Sequence, residues 1–368
     1  MKEFINHRIV IMGIAVLLFI TGAVAANGQS ASDIKAEPVK DDDFDVKQNA
    51  DNTLTITGYK GTARNVVIPD KLYGLKVTII GSSAFQNKGL ISVVIPDTVV
   101  TIEDGSYSGA FSSNKELQKV TLGKGLKTIG DYAFSGCLLT EIIIPDSVTR
   151  IGKESFNNIG LKNVTFGKGV QTIGDYAFLG NMIVELNLPS SLKEIGAAAF
   201  YNNEIQKITF GTGLQNIGSS AFRYNQITEL NNLPSSLKTI SGGAFANNQI
   251  QSLTIPNSVT SIGSWMYGDP EYSGSNHTEG AFAGNPIKTI IILTSFANGN
   301  ISEPFNDYSW NYEWIVTKIT TFTRITIPAK MDEKILKDNF EEAFVNFWIS
   351  QNRAGGTYVK RGPIWTKE

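Results

Sequence analysis

The sequence predicts a solenoid: short parallel β-strands stacked rung upon rung, with an irregular or short-helical opposite side. Three observations carry this. A Phe preceded by Ala or Ser recurs at Phe85, Phe111, Phe134, Phe156, Phe178, Phe200, Phe222, Phe245 and Phe282, at intervals of 26, 23, 22, 22, 22, 22, 23 and 37 residues. About five residues after most of these Phe, apolar residues fall at i, i+3 and i+5, as in Ile183/Leu186/Leu188, Ile205/Ile208/Phe210 and Ile250/Leu253/Ile255. Ile-Gly stands upstream of most of them, at Gly81, Gly130, Gly152, Gly174, Gly196, Gly218 and Gly263. A fixed period of roughly 20–50 residues is the signature of a repeat architecture. Apolar residues two apart face one side of a strand. A unit this short cannot bury that face alone, so neighbours must stack into a continuous core.

Each position of the unit has a physical reason. Gly after Ile permits either a turn with positive φ or close approach of the next rung. The Phe fills the far side of the rung, and its burial is worth ~1.5–3 kcal/mol. Three residues after most Phe stands Asn (Asn114, Asn181, Asn203, Asn225, Asn248 and Asn285), suited to bonding backbone groups of a neighbouring rung. Cys137 occupies the same position and is expected to be a buried filler, since nothing nearby in sequence would lower its pKa. The turns alternate between Gly-x-Gly (Gly123-Lys124-Gly125, Gly167-Lys168-Gly169, Gly211-Thr212-Gly213) and Pro-x-Ser (Pro145-Asp146-Ser147, Pro189-Ser190-Ser191). Segments 123–134 and 167–178 match at 10 of 12 positions across an offset of 44, which points to duplication of a two-rung unit. The glycine pairs lack the further Gly and long helix of a phosphate loop and recur every second rung, so they are turns.

Val-Ile-Pro-Asp, Val-Thr-Arg-Ile-Gly and Asp-Tyr-Ala-Phe-Ser-Gly-Cys resemble the BspA-like, treponemal-type leucine-rich repeats, over about residues 44–295. Residues 55–69 are similar to the lead-in of the first repeat in that family. The resemblance implies a leucine-rich-repeat fold in a secreted or surface-exposed bacterial protein, an adhesin for host matrix proteins or other cells, with no catalytic residues. This chain departs from the pattern at Glu103 and Ser241, which stand where Gly is expected, and in two inserts around 104–108 and 264–280.

Composition closes off other classes. One Cys and two His (His7 and His277) exclude a disulfide framework and a Cys- or His-rich metal site. With 32 basic and 34 acidic side chains and no basic run, nucleic acid is not an expected partner. Lys2 and Arg8 precede an apolar run Ile9–Ile20 too short to span a bilayer comfortably, and Ala23-Val24-Ala25 follows as a small-x-small cleavage pattern. The expected organisation is a signal peptide over 1–25, a linker over 26–43 and a lead-in over 44–66. Repeats follow over 67–295, then a C-terminal α-helical/β cap over 296–368. That cap includes an amphipathic helix from Asp332 carrying Leu336, Phe340, Phe344 and Phe347 on one stripe. Asp41–Asp43 and Asp45 form an acidic run expected to be solvated, with calcium binding a distant second reading.

Two places are candidates for partner binding. The register gives a concave polar face whose first outward row reads Ser92, Lys119, Glu141, Asn163, Glu185, Lys207, Glu229, Ser252, Thr289, and whose second includes Val94, Thr121, Ile143 and Thr165. Neighbouring rungs lie ~4.8 Å apart, so Lys119/Glu141 and Glu185/Lys207/Glu229 are placed to pair with each other and leave the face largely self-satisfied. The aromatics lie elsewhere. Trp265, Met266, Tyr267, Tyr272 and His277 sit in the longer insert, and Tyr308, Trp310, Tyr312 and Trp314 follow the repeats. They either cover the end of the stack or contact a ligand. No catalytic or metal-binding residues, and no cofactor, are expected. The expectation is an exported monomer that binds a protein ligand, an extracellular-matrix or cell-surface protein. The alternatives are a structural component of the envelope and, more remotely, a glycan-acting enzyme.

Overall fold

The computed structural model describes residues 39–263, 280–292, 300–301, 324–327, 356–361 and 364–367. The Phe-centred units are rungs of a parallel β-solenoid, as the period predicts. Each rung contributes two strands. A three-residue strand such as Glu185–Asn187 shows alternating exposed, buried and exposed positions. A two-residue strand such as Glu194–Ile195 follows after the corner. Between Ile-Gly and the next three-residue strand the chain runs through turns. Among the described residues the one helical segment is the 3₁₀ turn Asp41–Asp43, so the side away from the strands is irregular.

The core is a column of rings. Phe85, Phe111, Phe134, Phe156, Phe178, Phe200, Phe222, Phe245 and Phe282 are fully buried. Successive centroids lie 5.0 to 5.7 Å apart with planes within 15° of parallel. Beside the column runs the predicted Asn ladder. Asn181 Nδ2 donates to the carbonyls of Phe178 in its own rung and Phe156 in the rung below. Its Oδ1 accepts from the Leu161 amide. One buried side chain thus satisfies three backbone groups that the turn leaves without a ladder partner.

Cys137 takes the ladder position with a single bond, Sγ to the Phe111 carbonyl at 3.2 Å. The rung below needs no acceptor from it, because there the Leu117 amide bonds the Asn114 carbonyl. Burial pushes the thiol up to about 12, opposed by a backbone hydrogen bond from Asn114.

The structure decides between the two roles left open for the Ile-Gly glycines. A methyl on Gly130 would overlap the Glu103 carbonyl, so these positions serve close rung-to-rung approach. The left-handed residues lie elsewhere, in the turns on either side of the Phe, for example Tyr176 (φ 56) and Gly180 (φ 67).

The two sides of the solenoid pair differently. The two-residue strands join the lead-in strands in one 13-stranded sheet that runs unbroken among the described residues. The three-residue strands pair as Asn65–Val67/Ser92–Val94/Lys119–Thr121, then Glu141–Ile143/Asn163–Thr165, then Glu185–Asn187/Lys207–Thr209, with interruptions between these groups. Every interruption follows a rung with a Gly-x-Gly corner, so the 44-residue period of the sequence reappears in hydrogen bonding. Gly167 packs against the Pro145 carbonyl with no room for a methyl, and Asp146 Oδ1 accepts from the Lys168 amide at 2.8 Å. The next Pro-x-Ser corner is held differently, by the Ser191 hydroxyl donating to the Val170 carbonyl at 2.6 Å.

Both ends are closed by antiparallel strands. Phe44–Gln48 pairs with Leu54–Tyr59 at the start. At the finish, Gly356–Arg361 pairs with Arg324–Ile327 and with Ile364–Lys367, and Tyr358 and Trp365 join the core. The helix expected from Asp332 lies outside the described residues. Of the acidic run, Asp41, Asp42 and Asp45 are exposed and Asp43 is half-buried, and each carboxylate has a partner: Asp41 accepts from the Tyr73 amide, Asp42 from the Tyr73 hydroxyl and Asp43 from the Lys40 amide, while Asp45 pairs with Lys60.

Candidate functional site

The outward row of the three-residue strands is in the register read from the sequence. Glu141 opposes Asn163, Glu185 opposes Lys207, and Glu229 opposes Ser252, which opposes Thr289. At its ends the row bonds to itself, Ser92 to Asn65 at 2.9 Å and both Ser252 and Thr254 to Asn231.

In the middle it does not. Lys119, Glu141, Glu185, Lys207 and Glu229 are all exposed, and among the described residues none of them forms a salt bridge. This corrects the expected cross-rung pairing. An exposed Lys–Glu pair gains only ~0–1 kcal/mol and costs side-chain entropy, so the long side chains extend into water instead. The face also carries the looser strand pairing of the two sides, interrupted after Lys119–Thr121, Asn163–Thr165 and Lys207–Thr209.

The same face holds apolar groups, and beyond Ile143, which the second outward row already contained, the two-row reading passed over those in the loop columns. Ile143 is 70% exposed, and Leu138, Met182 and Val184 are exposed in the neighbouring loop columns. The loop-column members fall in the Phe134 and Phe178 rungs, whereas the matching positions of the Phe200 rung are Glu204, Gln206 and Thr209, and Val67 and Val94 add exposed apolar side chains to the first two strands of the face. Counting outward positions from the Phe, as was done for the strands alone, would have found them.

The opposite corner carries a second polar cluster. Arg150 bridges Asp104 and Asp131, both at 2.7 Å, and pins the first insert to the stack. Burial opposes the charge on Asp104, but the Arg150 guanidinium and the Asp131 amide outweigh it and hold the carboxyl below its usual range. The pinned insert displays Tyr107 at 92% exposure. Lys153 Nζ lies 5.8 Å from the Tyr132 ring centroid and 5.9 Å from that of Tyr176. These contacts are mutually satisfied, and counting along the repeat did not reveal them because Asp104 lies in an insert that breaks the count. The aromatic candidates Trp265, Met266, Tyr267, Tyr272, His277, Tyr308, Trp310, Tyr312 and Trp314 lie outside the described residues. Among the described residues no group of three His, Cys, Asp or Glu is placed to hold a metal ion, and no helix is long and apolar enough to cross a membrane.

Comparison with known proteins gives the following. The model of the BspA type leucine-rich repeat region, in six copies, matches residues 78–181 and 150–271. No curated protein matches. Among solved structures, a leucine-rich repeat protein of Bacteroides ovatus is 20% identical with a TM-score of 0.44, covering 74% of this chain and 78% of its own. The T. pallidum leucine-rich repeat protein is 25% identical with a TM-score of 0.38, covering 62% and 85%. A leucine-rich cell surface protein of Faecalibacterium prausnitzii is 24% identical with a TM-score of 0.38, covering 82% and 91%.

Proposed function

The chain belongs to the BspA-type leucine-rich-repeat family, and from that premise we propose that it is an exported surface protein that captures a protein ligand on its three-residue-strand face. The observation that carries this is the unpaired charged row. Five exposed charges in a fixed register, with no partner of their own, are groups a ligand can engage without first breaking internal bonds. Ile143, Leu138, Met182 and Val184 add apolar area beside them. Rim charges set register and on-rate, while apolar contacts excluded from water supply most of the affinity. Export is supported by the apolar run Ile9–Ile20 and the Ala23-Val24-Ala25 pattern. Adhesion to a matrix protein or to another cell is the role such a face would serve, and we assign the protein no enzymatic activity.

The test is solid-phase capture of fibronectin, fibrinogen and whole cells by the purified chain and by the Glu141→Lys/Glu185→Lys/Glu229→Lys variant. Reversing three exposed charges should weaken capture by about tenfold or more while the melting curve stays in place. Unchanged capture by the variant would remove the strand face as the binding site. Protease shaving of intact cells and N-terminal sequencing of the released protein test export, with Ala26 the expected first residue.

A further inference from the structure

The charged row is complementary to itself. Read along the stack it runs Lys119, Glu141, Asn163, Glu185, Lys207, Glu229, or plus, minus, neutral, minus, plus, minus. Reversed and laid on the original about a centre between Asn163 and Glu185, it sets Lys119 against Glu229, Glu141 against Lys207, and Asn163 against Glu185. Each match occurs twice, because a two-fold contact repeats every pair. The centre is the midpoint of the six-rung charged segment from Lys119–Thr121 to Glu229–Leu230, and the strand column continues past Thr289–Ile292 to Arg324–Ile327, so charge and not overlap selects this register. A slip of one rung one way sets Lys119 against Lys207 and Glu141 against Glu185; the other way, Glu141 meets Glu229. Both slips oppose like charges, and such juxtaposition is how a surface rejects wrong registers.

We propose that the strand face also takes a second copy of this chain, packed antiparallel about a two-fold axis that lies in the face and runs along the strands. In that geometry each outward row faces itself. Thr121 then meets Asn231, Ile143 meets Thr209, and Thr165 meets Asn187, which covers the most exposed of the apolar side chains on the face. No like-charged pair arises in either row. The contact is about 40 Å long and about 12 Å wide by strand spacing and rise, which buries roughly 1,000 Å² over both copies, the low end for a specific interface. The dimer is therefore weak, and a ligand bound to the same face competes with it. The proposal shares the unpaired row with the binding role but does not depend on the ligand.

Sedimentation equilibrium of the chain from Ala26 onward tests it. The mass should rise with concentration from that of one copy toward twice that value, and less so at high salt, because exposed charge pairs are screened. Glu141→Lys places a lysine opposite Lys207 and should raise the dimer dissociation constant about tenfold or more, as should Lys207→Glu. Glu141→Lys combined with Lys207→Glu restores opposite charges across the two-fold and should return the constant to within about threefold of the original. That rescue is specific to a self-contact, since an unrelated ligand meets two altered charges in the double variant. A chain that stays monomeric throughout overturns the proposal, as does a dimer indifferent to both reversals or a double variant no better than the singles. If the chain is monomeric while the triple glutamate variant still loses capture, the dimer is refuted and the binding role stands.

Discussion

Replacing Phe178 with Ala tests the stacked-ring core directly. Phe178 is fully buried, lies 5.1 Å from the Phe156 ring and 5.3 Å from the Phe200 ring, and meets Phe166 edge-on at 5.6 Å. Truncating a buried Phe costs about 3–5 kcal/mol, the larger values arising where the site cannot collapse. Here collapse is resisted on both sides. The Phe178 carbonyl accepts from Asn181 in its own rung and Asn203 in the next, and both bonds survive the substitution and hold the rungs at their spacing. Three ring contacts are lost as well, each worth ~0.5–1.5 kcal/mol beyond burial. The expected loss is therefore in the upper half of the range, about 4–5 kcal/mol. Guanidinium unfolding followed by far-ultraviolet circular dichroism measures it, with Leu138→Ala as the exposed comparison, expected within about 0.5 kcal/mol of the parent. A loss below about 1 kcal/mol for Phe178→Ala would refute the reasoning, because no fully buried, ring-stacked Phe is that dispensable.

Other outcomes follow from single positions. Cys137 should resist alkylation in the native chain at pH 8 and react fully once unfolded, followed by thiol titration. Because burial lifts its folded pKa to about 12, above the ordinary thiol value of 9.0, the contribution of the neutral thiol is present below pH 9 and lost as pH rises from 9 toward 12. Ser155 stands where the neighbouring rungs place Ala133 and Ala177, and its buried hydroxyl has no hydrogen-bond partner, so Ser155→Ala should raise stability by about 1 kcal/mol in the same melts. Deleting residues 145–188 removes one two-rung unit and joins Ile144 to Pro189, which preserves the alternation of corners. Deleting 145–166 instead stacks Gly-x-Gly on Gly-x-Gly and loses the Asp146–Lys168 and Ser147–Leu126 bonds. The shorter deletion should give the lower denaturant midpoint, although it removes fewer rungs.

Much of this architecture was legible because a solenoid converts sequence period into contact. Glu185 faces Lys207 since a strand alternates sides and a slip of one residue would turn Leu186 and Ile208 outward. The Asn ladder and the place of Cys137 followed from counting three residues past each Phe. What periodicity does not carry is the energy of exposed groups. The spacing placed Lys207 beside Glu185, yet adjacency in water is no reason to pair. Nor did it show how Arg150 reaches an Asp two rungs away in an insert, because an insert by definition breaks the count. The Ile-Gly corners were half legible: glycine was required, but only the packed rungs show that the requirement is space and not backbone sign.

The lead-in settles how the molecule ends. From Phe85 onward every ring lies nearly parallel to the next, so the column is the same at each step and nothing within it specifies a last member. At the start that sameness is broken. Phe44 meets Tyr59 at 46° and Phe85 at 66°, on strands that run antiparallel to each other. A stack that repeats by translation is a template for its own continuation, and an open end would offer a flat ring and an unpaired strand edge to any other copy. Phe44, tilted against both neighbouring rings, presents no flat ring for a further rung to stack on, although Phe44–Gln48 is the outermost strand of its sheet. The end of the solenoid is therefore marked by a ring that breaks the repeat, not by a closed strand edge.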